Sequence, residues 1–345
     1  MRLIKLFAIF LLVVSCKKEE PVTPSESFKL NNGILVLCEG LFQQNNASVS
    51  WIDLGQGSID NQFFVSRTNL SLGDTGNDMQ QYGGKIYIVV NVSSTIEVVS
   101  ADSFTPIKQI QMFDGATAKQ PRHIEFSGSN AYVTCYDGYV DVIDTASLTV
   151  TNRIAVGANP EGMTVANNKL YVANSGGLNF PNMDSTLSVI DLSLQTEIQK
   201  ITVGKNPGSV ISDATGDVYV IARGDYGAIP SRLIRVSSVS DTKEEEFPFE
   251  VSSIASMNNN FLISANNTIS LFDPNTEQMI SSNFVNLSDV VTMYNVVYHS
   301  ATDKIYIMDA MNYTNTGYLR KYSSAGAYIS SYHVGLNPSK VLFYD

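Results

Sequence analysis

The sequence is poor in residues that hold metals or carry positive charge. Three cysteines and three histidines in 345 residues leave little material for a zinc or haem site, so we expect no metal and no other cofactor. Only 22 basic residues face 33 acidic ones, for a net charge of −11, which argues against a nucleic-acid-binding protein. Charged residues make up only 16% of the sequence and apolar residues make up 44%. This apolar content can build a full core, so a wholly disordered chain is excluded.

The apolar run near the N-terminus is too short to cross a bilayer. Residues 6–14 follow Arg2 and Lys5 and would span about 14 Å as a helix, about half of the hydrocarbon core. They predict a signal peptide over residues 1–15. The Val-Val-Ser-Cys stretch that ends at Cys16 resembles the lipobox of bacterial lipoproteins, which implies that Cys16 is lipidated and anchors the chain to a membrane. An ordinary secretory signal is the alternative.

The next segment predicts a flexible tether over residues 16–30, because its Pro, Ser and Glu bias cannot bury apolar surface. Residues 17–20, Lys-Lys-Glu-Glu, look like the export signal of some gram-negative surface lipoproteins; the alternative is a solvated charge run. This resemblance implies an outer-membrane location with exposure at the cell surface, and it leaves the periplasmic face open.

Residues 31–345 repeat one unit seven times, with the clearest copies at 121–157 and 160–204. Each copy has four segments, A to D, that alternate apolar and polar residues and are rich in Val, Ile and Tyr, as half-buried strands are. Segment B carries an apolar anchor in corresponding places: Leu35, Tyr87, Tyr132, Tyr171, Tyr219, Leu262 and Tyr306. Segment C ends on Asp or Ser: Asp53, Ser100, Asp144, Asp191, Ser237, Asp273 and Ser323. These short oxygen-bearing side chains are expected to cap turns and not to bind metals.

The pattern predicts an all-β fold, a seven-bladed β-propeller of four-stranded antiparallel blades. A repeat of about 45 residues is typical of such blades. Residues 338–345 match only strand A of a repeat, and residues 33–38 match only strand B. We therefore expect the C-terminal strand A to join the N-terminal strands B to D and close a monomeric ring.

The blade junctions carry a more specific resemblance. Val156-Gly-Ala-Asn-Pro160, Val203-Gly-Lys-Asn-Pro207 and Val334-Gly-Leu-Asn-Pro338 resemble the junctions of YVTN-type, YncE-like propellers. The stretch from Gly84 to Ser93 is similar to surface-lipoprotein propellers of gram-negative bacteria, a group that includes corrinoid-capturing members. The resemblance implies a small-molecule ligand, with a corrinoid as the most specific choice, and an outer-membrane transporter as partner.

Motifs of catalysis are missing from the sequence: it has no Gly-x-Ser-x-Gly elbow, phosphate-binding loop or His-Glu-x-x-His helix. The three histidines, His123, His299 and His333, fall on different strands and are interpreted as locally satisfied. Cys38 and Cys135 lie at equivalent strand ends two blades apart, too far for a disulfide, and are expected to be buried thiols. Trp51 is expected to pack between blades.

Binding residues are therefore expected on loops. The D-to-A junctions and B-to-C loops of a propeller share one face, the top face, and the spacing of anchors and caps predicts long B-to-C loops in blades 1, 4, 5 and 7. Aromatic and amide side chains together suit a flat, polar-edged ligand or a sugar; the alternative is that the aromatics only pin their own loops. The candidate ligand-binding residues are Phe42, Gln44, Tyr136, Tyr139, Asn174, Phe180, Arg223, Tyr226, Asn312 and Tyr313.

A second candidate group should line the channel mouth, where the strands A begin. It consists of Asn77, Arg122, Glu161, Ser252, Asn295 and Ser339, with Gly208 at the equivalent place in blade 5. Arg122 and Glu161 fall on neighbouring blades. They either pair with each other, or Arg122 receives an anionic or carbonyl group of the ligand.

Three functions remain open at this point. The first is a non-enzymatic, lipid-anchored propeller that captures a small molecule for an outer-membrane uptake system. The second is an enzyme, such as a propeller lyase, hydrolase or quinoprotein, for which the predicted ring offers one acid, Glu161, with His123 just past its rim. The third is a protein-binding or scaffolding module of the cell surface, which a large apolar patch on the top loops would favour.

Overall fold

The computed structural model describes residues 28–345, and they form a ring of seven four-stranded antiparallel blades. The predicted seven-bladed β-propeller is therefore confirmed. The predicted signal peptide, the predicted lipidation site Cys16 and most of the predicted tether lie outside the described residues. Among the described residues, no helix has the length and apolar character needed to span a membrane.

Each blade runs from strand A at the central channel to strand D at the outer edge. Strands A are Pro338–Tyr344, Gly76–Tyr82, Pro121–Ser127, Pro160–Ala166, Pro207–Ser212, Ser253–Met257 and Met293–His299, in the order of blades 1 to 7. Strands B are Gly33–Cys38, Lys85–Val90, Asn130–Cys135, Lys169–Asn174, Val218–Ala222, Asn260–Ala265 and Lys304–Asp309. Strands C are Ser48–Asp53, Thr95–Ser100, Tyr139–Asp144, Thr186–Asp191, Arg232–Ser237, Thr268–Asp273 and Thr316–Ser323. Strands D are Ser58–Asp60, Pro106–Gln111, Thr149–Ala155, Thr196–Thr202, Thr242–Phe247, Gln278–Val285 and Tyr328–Leu336.

The two ends of the chain close the ring in blade 1. Strand A, Pro338–Tyr344, pairs antiparallel with strand B, Gly33–Cys38, and Val36 lies opposite Val341. Strand B in turn pairs with strand C, where Leu35 lies opposite Trp51. The C-terminal strand therefore satisfies backbone groups that would otherwise form an open edge.

The seven strand-B anchors form the core between blades. All of them, five tyrosines and two leucines, are almost completely buried, because strand B has a neighbouring strand on each side and a neighbouring blade on each face. The seven Asp or Ser residues that end the strands C accept hydrogen bonds from backbone N–H groups of the following turn, for example Ser147 N to Asp144 at 2.7 Å and Ala327 N to Ser323 at 3.1 Å. The interpretation as turn caps is confirmed.

The backbone conformation explains why asparagine stands before proline at three blade junctions. Asn159, Asn206 and Asn337 adopt left-handed φ values of 45°, 56° and 55°, a region that Asn tolerates better than most residues. Each Asn carbonyl then accepts a hydrogen bond from the first residue of a B-to-C loop, as in Ser175 N to Asn159 O at 3.2 Å. These bonds hold junctions and loops together on the top face, as expected.

Three elements were not predicted. A short helix, Phe63–Thr68, follows the three-residue strand D of blade 1, and a small hairpin, Phe113–Asp114 with Thr117–Ala118, is inserted between blades 2 and 3. A 3-10 turn, Gly177–Asn179, lies in the long loop of blade 4. The helix exists because Phe63 and Phe64 are buried, and Phe63 stacks on Trp51 with ring centroids 5.7 Å apart.

Candidate functional site

The top of strand A directs two successive side chains toward the channel mouth. In six blades its pairing with strand B shifts register near this end, whereas blade 6 pairs regularly. A β-bulge of this kind breaks the strict alternation of faces along a strand. The mouth is therefore lined by the predicted residues and also by their neighbours in sequence.

Arg122 of blade 3 and Glu161 of blade 4 form an ion pair across the mouth. Nε and Nη2 of Arg122 lie 3.2 and 3.1 Å from Oε2 of Glu161, and Nη1 donates to the amide oxygen of Asn77. The hydroxyl of Tyr136 donates to Glu161 Oε1 at 2.5 Å. The pairing that was one of two alternatives for Arg122 is thus present, and it occupies most of the Arg122 donors.

These contacts set the protonation states at the mouth. Burial alone would raise the pKa of Glu161, but Arg122, His123 and Arg223 outweigh burial and hold that pKa well below its usual range. Burial, together with the Glu161 charge, raises the pKa of Tyr136, so its hydroxyl remains a donor. Glu161 is ionised and Tyr136 is neutral at neutral pH.

A second charged group lies one residue further along the strands A. Asp78 is 1% exposed and faces Lys340 Nζ at 3.1 Å and His123 Nδ1 at 3.4 Å. The other ring nitrogen of His123, Nε2, lies 3.5 Å from Glu161. Burial alone would raise the pKa of Asp78, but Lys340 and His123 outweigh burial and lower it. His123 of blade 3 therefore lies between two carboxylates, one from blade 2 and one from blade 4.

Glu39 and Tyr294 form the opposite side of the mouth. Glu39 begins the B-to-C loop of blade 1, and the hydroxyl of Tyr294 in blade 7 donates to it at 2.7 Å. Burial raises the pKa of Glu39, and the hydrogen bond from Tyr294 offsets this only in part. Tyr294 also contacts Tyr313 edge-on, with ring centroids 6.1 Å apart, which connects the mouth to the long loop of blade 7.

Arg223 reaches the mouth because blade 5 has a glycine there. A Cβ built on Gly208 would lie 2.3 Å from Cζ of Arg223, so the guanidinium fills the space that a side chain takes in other blades. Nη1 of Arg223 lies 3.7 Å from Glu161 Oε1, beyond hydrogen-bond distance.

Below the mouth, the channel holds a polar cavity of about 240 Å³ lined by residues from the strands A of all seven blades. Asp78, His123, Glu125 and Lys340 are among them. A second cavity of about 340 Å³ lies at the top between blades 6 and 7, beside Ser252 and Val291, where the B-to-C turn of blade 6 is only residues 266–267.

The B-to-C loops differ in length as predicted. Those of blades 1, 4, 5 and 7 span residues 39–47, 175–185, 223–231 and 310–315, against 91–94, 136–138 and 266–267 in blades 2, 3 and 6. Each long loop exposes one predicted aromatic residue: Phe42 by 67%, Phe180 by 65%, Tyr226 by 73% and Tyr313 by 50%. We call these four side chains the aromatic rim.

Other candidates lie where they serve the fold. Asn174 is completely buried: its amide oxygen accepts from Gly157 N at 3.0 Å, and its nitrogen donates to Thr186 and Ser188 at 2.9 Å. Asn174 was predicted to contact a ligand, but every polar atom of its side chain is used to hold strand C and the junction, and none is left for a ligand.

Several candidates are separate from the mouth or engaged within their own loops. Tyr139 lies under the guanidinium of Arg153 at 4.2 Å, in a charged cluster that includes the buried Asp141. The side-chain oxygen of Asn312 accepts from Asn315 N at 2.9 Å, which shapes its own turn. The hydroxyl of Ser252 donates a hydrogen bond to the Ser264 carbonyl. The backbone N–H of Gln44 donates to the Leu41 carbonyl.

Asn295 and Ser339 meet at the mouth on the side of blades 7 and 1. The Asn295 amide nitrogen donates to the Ser339 carbonyl at 3.0 Å, just as the Asn77 amide nitrogen donates to the Arg122 carbonyl at 2.8 Å. These amides tie neighbouring strands A together. Sequence reasoning missed Asp78, Tyr294 and Lys340, although each is adjacent in sequence to a predicted mouth residue.

The described cysteines and the two histidines outside the mouth have structural roles. Cys38 and Cys135 are buried free thiols, as expected, and burial raises the pKa of Cys38 to about 12. His299 stacks on Phe343 with ring centroids 4.0 Å apart. Nε2 of His333 shares a hydrogen bond of 2.7 Å with the hydroxyl of Thr316. In the described part of the chain, no group of three or more His, Cys, Asp or Glu side chains could hold a metal ion.

Residues 32–260 match the family described as a domain of unknown function, DUF5074. The chain belongs to the DUF5074 family. This match covers strands B to D of blade 1, blades 2 to 5 and strand A of blade 6. It therefore includes Arg122, Glu161 and Arg223 but not Lys340, Tyr294 or Tyr313. No curated protein matches this DUF5074 chain.

The solved structures that share the fold of this DUF5074 protein include the following two. A quinonprotein alcohol dehydrogenase-like protein from Bacteroides thetaiotaomicron aligns with a TM-score of 0.68 and 12% identity, over 92% of this chain and 79% of that chain. Hydrazine synthase from Kuenenia stuttgartiensis aligns with a TM-score of 0.60 and 15% identity, over 74% of this chain and 85% of that chain. At these identities the likeness concerns the fold alone.

Proposed function

We propose that this DUF5074 propeller captures a small molecule on its top face. The observation that carries the proposal is the aromatic rim, in which four long loops each expose one aromatic side chain around a charged channel mouth. Exposed aromatic surface beside fixed hydrogen-bonding groups suits a flat ligand with polar edges, because stacking and hydrogen bonds then act together. A rigid, preformed ring loses little conformational entropy on binding.

Binding is favoured over catalysis by the protonation states at the mouth. An acid–base catalyst works best when its pKa lies near the operating pH. The pKa values of Glu161 and Asp78 are instead lowered, and those of Tyr136 and Tyr294 are raised. Glu39 is the exception, but Tyr294 already donates to its carboxylate. The ionised carboxylates and the neutral hydroxyls are therefore suited to fixing a ligand.

The entry point of the chain supports a surface-anchored version of this function. Leu30 N donates to the carbonyl of Asp102 at 2.7 Å, in a C-to-D turn on the face opposite the top. A lipid anchor at Cys16 would therefore hold the protein by its bottom face, with the top face directed away from the membrane. This arrangement leaves the aromatic rim open to a ligand that arrives from outside the membrane.

A corrinoid is the ligand that the sequence resemblance favours, and a wide flat ring with polar edges fits an aromatic rim. The test is calorimetric titration of the purified full chain with cyanocobalamin and with dicyanocobinamide at micromolar concentration. The expected result is binding that falls at least about tenfold when Phe180, Tyr226 and Tyr313 are all replaced by Ala, since aromatic contacts are each worth about 1 kcal/mol.

The matched control replaces exposed apolar residues of the bottom face, Leu194→Ala with Val239→Ala, which are 68% and 84% exposed and should leave binding unchanged. If neither corrinoid binds, the corrinoid version is wrong. If binding survives in the triple variant, the ligand does not use the aromatic rim.

A further inference from the structure

Arg223 is a cation at the channel mouth, and its guanidinium has N–H groups without a hydrogen-bond acceptor in the described part of the chain. Arg122 is engaged by Glu161 and Asn77, and Lys340 lies 3.1 Å from Asp78. Within residues 28–345, by contrast, no acceptor hydrogen-bonds the Arg223 guanidinium, whose nearest ion-pair contact is the 3.7 Å approach to Glu161. Its side chain is 33% exposed, so the free N–H groups are open to the top face.

The Glu161 carboxylate attracts Arg223 but has little hydrogen-bonding capacity left for it. Glu161 Oε2 accepts from two nitrogens of Arg122, and Oε1 accepts from Tyr136 at 2.5 Å and from Arg122 at 3.3 Å. A bidentate arginine pair of this kind satisfies most of a carboxylate's acceptor capacity. The N–H donors of Arg223 are therefore available to an anion from outside.

The fold leaves space for this guanidinium and fixes the backbone of its loop. Gly208 supplies the space below it, since any Cβ there would overlap Cζ at 2.3 Å. The Arg223 backbone N–H donates to Asn206 O at 3.0 Å, which fixes the start of the loop. Further along, the Asp225 carboxylate accepts from Gly227 N and Ile229 N at 2.9 and 2.8 Å.

The same loop presents an aromatic ring three residues after the cation. Tyr226 is 73% exposed and has a left-handed φ of 59°, a conformation that costs a bulky residue energy and that is typical of binding sites. One short, braced loop thus offers a cation with free donors and an aromatic surface.

We infer that Arg223 recognises an oxyanion, a carboxylate or a phosphate, carried by a ligand whose flat part packs on the aromatic rim. The inference rests on the proposed function and adds the chemical class of the ligand. Guanidinium N–H groups match two oxygens of either anion in one plane. Gly208 is the positioning residue that allows the guanidinium to reach the mouth.

The probes are naphthoate, naphthamide and naphthyl phosphate, which share the flat naphthalene ring system and differ in charge. Affinities for the full chain are measured by ligand-observed NMR titration at millimolar concentration. Naphthoate or naphthyl phosphate should bind about tenfold more tightly than naphthamide, because a charge-assisted hydrogen bond adds roughly this much. If naphthoate binds more tightly than naphthamide, the oxyanion is a carboxylate; if naphthyl phosphate does, it is a phosphate.

Three variants locate the effect. Arg223→Gln should abolish the preference for the anion while naphthamide binding persists. Gly208→Ala keeps the charge but displaces the guanidinium, and it should also reduce the preference. Lys243→Gln removes one positive charge from the outer strand of the same blade and should leave the preference intact; thermal melts check that each variant is folded.

The outcomes separate the two proposals. If acid, phosphate and amide bind equally to the wild type, or if the preference survives Arg223→Gln, the oxyanion inference is wrong while the aromatic rim stands. If none of the three probes binds, the proposed ligand face is contradicted as well.

Discussion

At the scale of single residues, the mouth depends on the buried Arg122–Glu161 pair. Glu161→Gln would leave the Arg122 guanidinium, whose side chain is 19% exposed, without its counter-charge. Breaking one partner of a buried pair costs about 3–5 kcal/mol. We therefore expect a loss of this order in the free energy of unfolding, measured by urea denaturation at neutral pH. Glu246→Gln, which removes an exposed acid paired with Lys243, should leave that free energy nearly unchanged.

The same pair makes a pH prediction with a definite sign. The folded-state pKa of Glu161 lies well below its usual range, whereas the unfolded value is about 4.3. Its stabilisation is therefore complete above about pH 4.3 and is lost as the pH falls toward the folded-state pKa. The difference in unfolding free energy between wild type and Glu161→Gln should shrink over this acid range. A difference that stays constant would show that the Glu161 charge is not the cause.

Tyr226 should show a conflict between stability and binding. Its left-handed φ of 59° costs a non-glycine residue about 1–2 kcal/mol, which glycine avoids at an entropic cost of about 0.5–1 kcal/mol. Tyr226→Gly should thus leave the unfolding free energy equal or slightly higher while it weakens ligand binding. Phe42→Gly is the comparison, since Phe42 is as exposed but its φ is not positive. A clear loss of stability in Tyr226→Gly would contradict this account of strain.

At the scale of structural elements, the long loop of blade 1 is shaped by a carboxylate from outside the loop. Asp74, in the junction between blades 1 and 2, accepts from Gln43 N and Asn45 N at 3.1 and 2.9 Å and so shapes the loop that exposes Phe42. Asp74→Ala should cost about 1–3 kcal/mol. It should also speed hydrogen exchange over residues 41–46 and weaken ligand binding, although Phe42 itself is unchanged.

A turn cap on the bottom face provides the control for the Asp74 variant. Asp144 accepts from Ser147 N at 2.7 Å, the same kind of contact far from the loops. Asp144→Ala should loosen its own turn and leave binding unchanged. Equal binding by both variants would mean that the blade 1 loop is not part of the site.

The elements also show where sequence reasoning succeeds and where it fails. The strand-B anchors and strand-C caps could be predicted because each depends on its own strand and turn, and every blade repeats them. Asp78 and Tyr294 were missed because a bulge at the top of strand A overrides the alternation of faces. The helix Phe63–Thr68 was missed because it forms only where Phe63 packs on Trp51, a contact distant in sequence.

At the scale of the whole molecule, closure of the ring decides stability. Strand B of blade 1, Gly33–Cys38, is buried throughout and has Pro338–Tyr344 as its inner neighbour. Deleting residues 338–345 removes a ladder of hydrogen bonds worth about 1 kcal/mol each, against a typical total of about 5–15 kcal/mol. We expect a large drop in melting temperature or loss of soluble protein. Removing Asp345 alone, which lies beyond the strand, should have little effect; a deletion variant that melts like the full chain would refute closure.

The domain boundary shifts slightly from the sequence prediction. Residues 28–30 were assigned to the tether, but Leu30 is buried, and Phe28 lies under the Arg67 guanidinium at 4.1 Å. Composition indicated a flexible segment because it averages over neighbours, whereas these two side chains find a groove at blade 1. The asymmetry of the top loops, in contrast, could be predicted from repeat spacing alone.

The most direct test of ligand capture needs no prior choice of ligand. Wild-type chain, the Phe180, Tyr226 and Tyr313 triple Ala variant, and the Leu194 with Val239 control variant are each equilibrated with the same small-molecule ultrafiltrate of culture medium. The retained compounds are then identified by mass spectrometry. The account predicts a compound retained in stoichiometric amount by the wild type and the control variant, and lost from the triple variant. Retention of no compound, or equal retention by all three proteins, would contradict it.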